Sequence, residues 1–435
     1  MKIIGLSKEI VSKILHIIYY RLLRICNFLV TKNKKTIFFY PHGNCQYDGY
    51  DILNGESSNV LCLLNDILKD SQFNKYQLYI LYYHKERLKS YQEYCSKFGF
   101  ERLHFVFFED KKSIRQAVFK CYTIFIDADY TQINYNVSKQ RVVLLNYFGG
   151  LIKGEFFRWE NHGGFKRMIK EQKKMKRMFD YHLSISDVCS KFIALDNCHY
   201  YPHFVSLGFP RNDIFFRDSS DLRKQVEELV DFKVKKIVTY APTHRDYENP
   251  NREFYDSNKA THRSIFGDVT EHELEDFENI LSETGTLIIA KVHPIQQAQT
   301  SVISSKASKH ILFYSELVKH IRTSLNPLLA ISDSIITDYT TTVYDFLYTN
   351  RPIIYYFYDI ERYRETRGFF IEPIESICAG HLTYNLSELG NAIKDIALGN
   401  DPFKTKRQFL QELFIKYLDG NSTERIKEYF FGEKR

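Results

Sequence analysis

The sequence predicts two α/β domains, each built on a largely parallel sheet, with a basic amphipathic helix before the first. From residue 36 onward, short apolar runs alternate with amphipathic stretches of helical period, and this alternation is typical of βα units. A second series of the same kind begins at Ile237. The chain has 435 residues, which is more than one ordinary core accommodates and also indicates two domains.

Residues 1–33 are predicted to form the basic helix. Their apolar pattern is interrupted by Lys8, Lys13, Arg21 and Arg24, so no uncharged stretch approaches the roughly 20 residues of a spanning helix. A cleavable signal peptide needs a longer unbroken apolar core. We therefore expect this helix to lie on an anionic membrane surface; the alternative is that it packs on the body of the protein.

The first domain is predicted to span residues 34–222 and the second residues 223–435. In the first, we expect strands at 36–40, 76–82, 104–108, 121–126, 142–145, 181–186 and 204–207, and helices at 59–68 and 165–178. A helical connection at 221–234 leads to strands at 237–240, 287–290, 311–313, 334–337 and 353–357, and two helices within 404–431 close the chain. Because ligands bind at the C-terminal ends of parallel strands, the site is expected in the cleft between the domains.

Composition limits the class of ligand. The net charge is +7, from 60 basic and 53 acidic residues, a modest excess that fits an anionic substrate or membrane surface and does not indicate nucleic acid as a partner. The eight cysteines form no C-x-x-C pair, so neither a zinc site nor a disulfide framework is expected. Reduced thiols in the cytosol are the simpler account.

The most informative segment is the hydroxyl-rich stretch at 337–345, which joins a short apolar strand to a helix. A helix N-terminus presents unpaired N–H groups and favours phosphate, and Thr340 and Thr341 can add hydroxyl donors. Asp345 lies one helical turn beyond Thr341 and can accept hydrogen bonds from a ribose diol. The alternative is a plain helix cap made by Asp338 or Thr340, with no ligand.

Further motifs stand where other predicted strands end. Basic and histidine side chains from these motifs are expected to converge with the hydroxyl-rich stretch, a composition suited to pyrophosphate. The motifs are Gly208-Phe209-Pro210-Arg211-Asn212-Asp213, Tyr240-Ala241-Pro242-Thr243-His244-Arg245, Lys291-Val292-His293-Pro294, and Tyr358-Asp359 and Tyr363 followed by Arg367-Gly368-Phe369-Phe370.

This ordered set resembles the CDP-glycerol glycerophosphotransferase family of teichoic-acid and capsule enzymes, over residues 140–430. The tail from Asp419 to Arg425 resembles the end of the family's sequences as well. The resemblance implies a GT-B fold, in which two Rossmann-like domains face each other and the second holds the nucleotide. It also implies transfer of glycerol phosphate or ribitol phosphate from a CDP-activated donor to an acceptor hydroxyl, with release of CMP.

The resemblance also implies roles for individual residues. Thr340 and Thr341 would hold the donor phosphate, Asp345 would bind the ribose, and Pro242 and Thr243 belong to a donor-binding motif. Arg211 is either a donor contact or part of an interdomain ion pair. The groups expected to neutralise the diphosphate and the leaving CMP, or to order the loop beside them, are Arg245, Lys291, Arg367 and the catalytic His293.

One departure from the family pattern concerns the general base. The family carries a histidine where this chain has Phe148, in Tyr147-Phe148-Gly149-Gly150, and phenylalanine cannot accept a proton. The nearest substitutes are His162 and His42. Either another group replaces the base, or the centre works differently, or the transferase activity is lost.

The expected partners are a CDP-polyol donor, a polysaccharide or lipid-linked acceptor, and the cytoplasmic face of a bacterial membrane, where the protein would be peripheral. An obligatory metal is not implied, although Mg²⁺ can assist through the donor phosphates. There are two alternative functions: a GT-B glycosyltransferase that uses a CMP-sugar, and a non-catalytic nucleotide- or glycan-binding protein.

The sequence does not determine which polyol is transferred or what the acceptor is. Nor does it determine whether the protein adds one unit or polymerises, or what its oligomeric state is.

Overall fold

The computed structural model describes residues 8–41, 58–127, 139–145, 179–197, 203–243, 264–292, 308–366 and 368–432. The strands of its first sheet are β1 Asn33–Tyr40, β2 Gln77–Tyr82, β3 Leu103–Phe107, β4 Cys121–Ile126, β5 Arg141–Leu144, β6 Tyr181–Ser184 and β7 Phe204–Ser206. They pair in parallel in the order β3-β2-β1-β4-β5-β6-β7. This doubly wound order brings the C-terminal ends of β1 and β4 to the middle of one edge.

The second sheet repeats this winding. Its strands are β8 Lys236–Ala241, β9 Thr286–Ala290, β10 Ile311–Phe313, β11 Ser334–Thr337, β12 Ile353–Tyr356 and β13 His381–Thr383. They pair in parallel in the order β10-β9-β8-β11-β12-β13. Thr337 lies beside Ala241 of β8 and Tyr355 of β12, so the loops after β8, β11 and β12 meet at one edge.

The helices cover the faces of both sheets. Those in the described ranges are α1 Lys8–Leu29, α2 Asn59–Lys69, α3 Leu88–Phe98, α4 Lys111–Lys120, α5 Asp187–Asn197, α6 Ser220–Glu227, α7 Glu271–Thr284, α8 Tyr314–His320, α9 Leu325–Ile331, α10 Thr342–Phe346, α11 Ile360–Thr366, α12 Leu386–Ala397, α13 Lys404–Phe414 and α14 Ser422–Phe431. Capping residues explain several boundaries. Ser58 caps α2 by accepting from Leu61 N, and Thr270 with Glu273 forms a capping box on α7.

The predicted strands are all present, and the two predicted tail helices are α13 and α14. β13 was not predicted, because His381-Leu382-Thr383 contains a single apolar residue and so shows no apolar run. The helix predicted at 221–234 is wrong in length, since α6 ends at Glu227. The residues after it pack on the core beneath β8 and β9, and the Phe232 ring lies 4.3 Å from the His310 ring. The helix predicted at 165–178 lies outside the described residues.

The predicted N-terminal helix is α1, and it has two different sides. Tyr20 and Leu23 pack against the core of the first sheet, and the buried Asn27 donates to Gln140 Oε1 at 2.7 Å. The opposite side leaves large apolar residues exposed, namely Leu15, Ile18, Leu22, Ile25 and Leu29. Across the described ranges, no helix combines the length and hydrophobicity needed to cross a bilayer.

The last helix, α14, packs on the first domain. The ring of Phe430 lies 5.8 Å from that of Phe125 in β4. Lys427 Nζ lies 2.6 Å from Asp66 of α2 and 2.8 Å from Asp70 just beyond it. The predicted domain boundaries stay predictions, but the chain leaves the first domain and returns to it.

Candidate active site

The hydroxyl-rich loop lies between β11 and α10. Strand β11 is fully buried, and α10 begins at Thr342. Thr340 and Thr341 are half-buried at the turn, and Thr340 Oγ1 lies 3.1 Å from Thr342 Oγ1. Thr341 is the N-cap residue, yet its side chain makes no capping hydrogen bond. The predicted strand, loop and helix are confirmed, with two threonines at the edge of the sheet.

Asp338 does not cap the helix, contrary to one alternative from the sequence. Its carboxylate is buried and accepts from Thr243 N, with Oδ1 at 2.8 Å and Oδ2 at 3.0 Å. Oδ1 also accepts from the backbone N–H of Tyr339 at 2.6 Å. Asp338 therefore ties the loop after β8, which carries Pro242 and Thr243, to the hydroxyl-rich loop.

Tyr339 connects the same loop to the segment after β12. Its buried ring is parallel to that of Phe357, at 5.2 Å, and stacks on that of Tyr363 at 4.0 Å. It also contacts Phe369, with 5.3 Å between ring centroids. The Tyr339 hydroxyl donates to Asp359 Oδ1 at 3.1 Å. The sequence showed these aromatic residues but not that they form one stack.

Arg211 and Asp345 form an ion pair. Arg211 Nη2 lies 3.1 Å from Asp345 Oδ2, and both side chains are largely buried. Arg211 follows β7 in the first domain and Asp345 lies in α10 of the second, so the interdomain pair proposed for Arg211 is present. The contact between Asp345 and ribose stays a prediction.

Asp213 has a different partner. Its buried carboxylate accepts from the N–H groups of Ser422 and Thr423, each at 2.9 Å, and from Thr423 Oγ1 at 2.8 Å. Burial raises the pKa of Asp213 above its ordinary value, although these hydrogen bonds oppose the shift. Gly208 has φ of +85°, and a Cβ there would overlap Ser422 Oγ. The motif Gly208–Asp213 and the tail segment Asp419–Arg425, which are far apart in the sequence, are therefore in direct contact.

The first-domain wall of the cleft is linked to Arg211 through Asn59. The Asn59 side chain accepts from Arg211 N at 3.1 Å and donates to the carbonyl of Leu145 at 2.8 Å. Leu145 directly precedes the residues that include Phe148 and His162. Asp127 holds the start of α2 by accepting from Val60 N at 3.2 Å and from the Ser58 hydroxyl.

Lys291 supplies a cation at the end of β9. Its backbone N–H donates to Tyr240 O at 2.8 Å, and its ammonium lies 5.0 Å from the centre of the Tyr314 ring. The Tyr314 hydroxyl donates in turn to Thr323 O at 3.1 Å. Lys291 is half-buried.

Four predicted site residues lie outside the described ranges, as does the family's histidine position at Phe148. They are Arg245, His293, His162 and Arg367, and the alternative base His42 lies outside as well. The described part of the site has two threonine hydroxyls after β11, Lys291 after β9, and Arg211, whose guanidinium pairs with Asp345. Hydroxyl and cationic donors in this arrangement bind anionic oxygens.

A family sequence profile shows which family the chain belongs to. The profile of the CDP-Glycerol:Poly(glycerophosphate) glycerophosphotransferase family matches residues 64–432. This chain belongs to that family. The resemblance seen in the sequence motifs is therefore confirmed, and it extends into the first domain beyond the predicted start at residue 140.

Curated relatives of this glycerophosphotransferase-family chain are teichoic-acid proteins. The teichoic acid ribitol-phosphate polymerase TarL of Staphylococcus aureus (strain NCTC 8325 / PS 47) is 28% identical over 233 residues, which make up 52% of this chain and 37% of TarL. The teichoic acid glycerol-phosphate primase of Bacillus subtilis (strain 168) is 27% identical over 271 residues, 61% of this chain and 60% of the primase. The chain thus spans only part of the length of the curated relatives it matches.

The fold of this family member is shared with a solved structure over nearly its whole length. The wall teichoic acid polymerase TagF superposes with a TM-score of 0.70 at 16% identity, covering 96% of this chain and 95% of that one. A TagF variant soaked with CDPG superposes with a TM-score of 0.67 at 15% identity, covering 99% and 98%. The predicted GT-B architecture of two doubly wound domains is confirmed.

Proposed function

We propose that this protein transfers glycerol phosphate or ribitol phosphate from a CDP-activated donor to an acceptor hydroxyl in the synthesis of a teichoic-acid-like, capsular or surface polymer. The observation that carries the proposal is the hydroxyl-rich loop. Thr340 and Thr341 lie at the strand-end edge, in the same sheet as Lys291, in a chain that belongs to the glycerophosphotransferase family. Family membership supports the reaction class, and the donors at this edge support binding of a diphosphate.

The proposed reaction is a phosphoryl-type displacement. The acceptor oxygen attacks the β-phosphorus of the donor, the bond to the CMP oxygen breaks, and CMP leaves. Such a transfer depends mainly on positioning and charge stabilisation. Thr340 and Thr341 hold the donor phosphate, while Lys291, Arg245, Arg367 and His293 offset the negative charge. We assign the acceptor proton to His162, with His42 as the alternative base, because Phe148 cannot accept it.

We further propose that the protein works as a peripheral protein on the cytoplasmic face of a bacterial membrane, where it meets a polysaccharide or lipid-linked acceptor. The two sides of α1 support this. One side is held to the first domain through Tyr20, Leu23 and Asn27, and the other presents an apolar stripe from Leu15 to Leu29. Such a stripe, flanked by Arg21 and other basic residues, suits the interface of an anionic bilayer.

No resident metal is part of the proposal. Mg²⁺, when present, would act through the donor phosphates, because hard cations bind phosphate oxygens well. Turnover that persists after treatment with EDTA would support this view. Complete loss in EDTA, restored by Mg²⁺, would contradict it.

The decisive experiment measures CMP release. The purified protein is incubated with CDP-glycerol, CDP-ribitol and a panel of CMP-sugars, each with and without candidate acceptors. Acceptor-dependent CMP release from a CDP-polyol is expected. Release from a CMP-sugar alone would indicate the glycosyltransferase instead, and donor binding without any turnover would indicate a non-catalytic binding protein, the alternative motivated by Phe148.

A further inference from the structure

The dipeptide Asp338-Tyr339 touches three strand-end loops at once. We propose that it is a positioning centre for the donor pocket, which sets donor affinity without touching the donor. The proposal rests on the proposed function, because the pocket concerned is the CDP-donor pocket. It assigns a role to two residues of the hydroxyl-rich loop that neither hold phosphate nor cap the helix.

Asp338 fixes the position of the loop after β8. Its two oxygens accept three backbone hydrogen bonds, two of them from Thr243 N and one from Tyr339 N, at 2.6–3.0 Å. Hydrogen bonds to a carboxylate are stronger than those between neutral groups. Asp338 is 1% exposed, so this carboxylate is shielded from solvent.

Tyr339 fixes the position of the segment after β12. Its ring is 0% exposed and stacks on Phe357 and Tyr363, while its hydroxyl donates to Asp359 at 3.1 Å. On the other side of that segment, the Phe369 ring lies 5.3 Å from the Tyr339 ring. The single tyrosine therefore contacts both ends of the stretch from Asp359 to Phe369.

The three loops joined in this way are those that carry the predicted donor contacts. Thr340 and Thr341 directly follow the dipeptide in the sequence. Thr243 stands two residues before Arg245 in the loop after β8. Arg367 lies within the stretch from Asp359 to Phe369. The relative placement of hydroxyls and cations around a diphosphate thus depends on two buried side chains. Misplacement by a fraction of an ångström is enough to weaken binding and orientation.

Ordinary core packing is the competing account, and it predicts a different result. A residue that only packs the core changes stability, whereas a positioning residue also changes donor affinity. Tyr339→Phe is the sharpest variant, because it keeps the ring stack and removes the hydroxyl that donates to Asp359. Ser332→Ala is the control: Ser332 is 0% exposed, it precedes β11 at the opposite edge of the same sheet, and its hydroxyl donates to Leu328 O at 2.7 Å.

The experiment measures the Kd for CDP by calorimetry, the donor KM and kcat, and the unfolding temperature. In Tyr339→Phe we expect the Kd and the donor KM to rise about tenfold, as loss of a hydrogen bond to a charged group implies, with kcat changed by less than about threefold. In Ser332→Ala both constants should stay within about twofold of wild type, since its bond lies at the opposite edge of the sheet. Equal effects on CDP binding in the two variants would overturn the proposal.

A double-mutant cycle tests the specific contact. If Tyr339 acts through Asp359, then Tyr339→Phe combined with Asp359→Ala should weaken CDP binding no more than the stronger single change. Fully additive effects would contradict that route. A wild-type protein that does not bind CDP at all would reject the proposed function, whereas normal CDP binding in Tyr339→Phe would reject only the positioning role.

Discussion

Arg211 and Asp345 form the ion pair that joins the two domains beside the hydroxyl-rich loop, with 3.1 Å between Nη2 and Oδ2 and side-chain exposures of 15% and 10%. A pair this far from water differs from a surface salt bridge, because removal of one partner leaves the other charge buried.

We therefore expect Asp345→Asn to lower the free energy of unfolding by about 3 kcal/mol, because it removes the carboxylate charge that faces the largely buried Arg211 guanidinium. Chemical denaturation measures it. Glu228→Gln is the control, since Glu228 pairs with Lys224 at 3.9 Å on the exposed surface and should change stability by less than about 0.5 kcal/mol. Equal losses of unfolding free energy in the two variants would show that the pair of Arg211 and Asp345 does not stabilise the fold.

The same variant tests the ribose contact predicted for Asp345. If the carboxylate binds the ribose diol, wild type should prefer CDP over 2′-deoxy-CDP, and Asp345→Asn should lose that preference while it still binds both. Calorimetry with the two ligands measures it. A preference that survives the substitution would assign the carboxylate to the ion pair alone.

Thr341→Ala should lower turnover of the CDP-polyol donor by about 10- to 100-fold, because a hydrogen bond to a charged phosphate contributes roughly 1.5–3 kcal/mol. The fold should survive, since the Thr341 side chain makes no capping bond. Thr349→Ala is the control: Thr349 follows α10 and its hydroxyl donates to Phe346 O at 2.8 Å. Wild-type turnover in Thr341→Ala would show that the donor site lies elsewhere.

The general base is tested by His162→Ala and His42→Ala. The variant that removes the base should lose about 100-fold or more in kcat, the usual contribution of a positioned proton acceptor, and should lose the fall in kcat at low pH that protonation of the base produces. The other variant should remain near wild type. Near-normal rates in both variants would eliminate both histidines as the general base.

His293→Ala should also reduce turnover sharply without unfolding the protein.

Lys427 makes stability depend on pH. Burial alone would lower the Lys427 pKa, but Asp66, Asp70 and Glu424 raise it above its ordinary value. The Asp70 pKa is lowered, because Lys427 and backbone N–H bonds outweigh burial. A carboxyl with a lowered folded pKa stabilises the protein above its unfolded pKa, near 4, and loses that contribution as the pH falls through the folded pKa.

Lys427→Met should therefore destabilise the protein most at neutral pH, where three carboxylates would face one another without the ammonium. The difference from wild type should shrink below about pH 4, as those carboxylates become protonated. Unfolding curves at pH 7 and pH 3.5 measure it. A difference that does not change with pH would mean that packing, and not charge, is responsible.

Membrane binding is tested on the exposed side of α1. Leu15→Glu with Leu22→Glu should reduce binding to phosphatidylglycerol vesicles by about tenfold or more, since apolar burial and attraction to anionic lipid both weaken. Leu398→Glu is the control, because Leu398 is equally apolar and is 78% exposed on the second domain. Unchanged sedimentation with vesicles would contradict the proposed location.

The sequence allowed the strands and the hydroxyl-rich loop to be predicted, because buried parallel strands are continuous apolar runs that end at polar turns. Side-chain partners could not be predicted in the same way. Arg211 lies two residues from Asp213 but pairs with Asp345, and Asp213 instead binds Ser422, 209 residues away in sequence. Local spacing does not determine which of several acidic groups the fold brings to an arginine.

The Tyr339 stack shows the same limit in an apolar setting. Tyr339, Tyr363 and Phe369 belong to two motifs whose order suggested a shared edge, yet no period or spacing indicated ring contact. The parallel register of β11 with β12, which places Thr337 beside Tyr355, is what brings the motifs together.

The position of α14 on the first domain has a consequence for the order of synthesis. Because α1 and α14 both belong to the first domain, the second domain is inserted within it, between Pro210–Phe216 and Ser422. A ribosome therefore releases the second domain whole while the first still lacks a helix that fills its core. The first domain is therefore completed after the second, and the hydrogen bonds between Asp213 and Thr423 can form only once Thr423 has been translated.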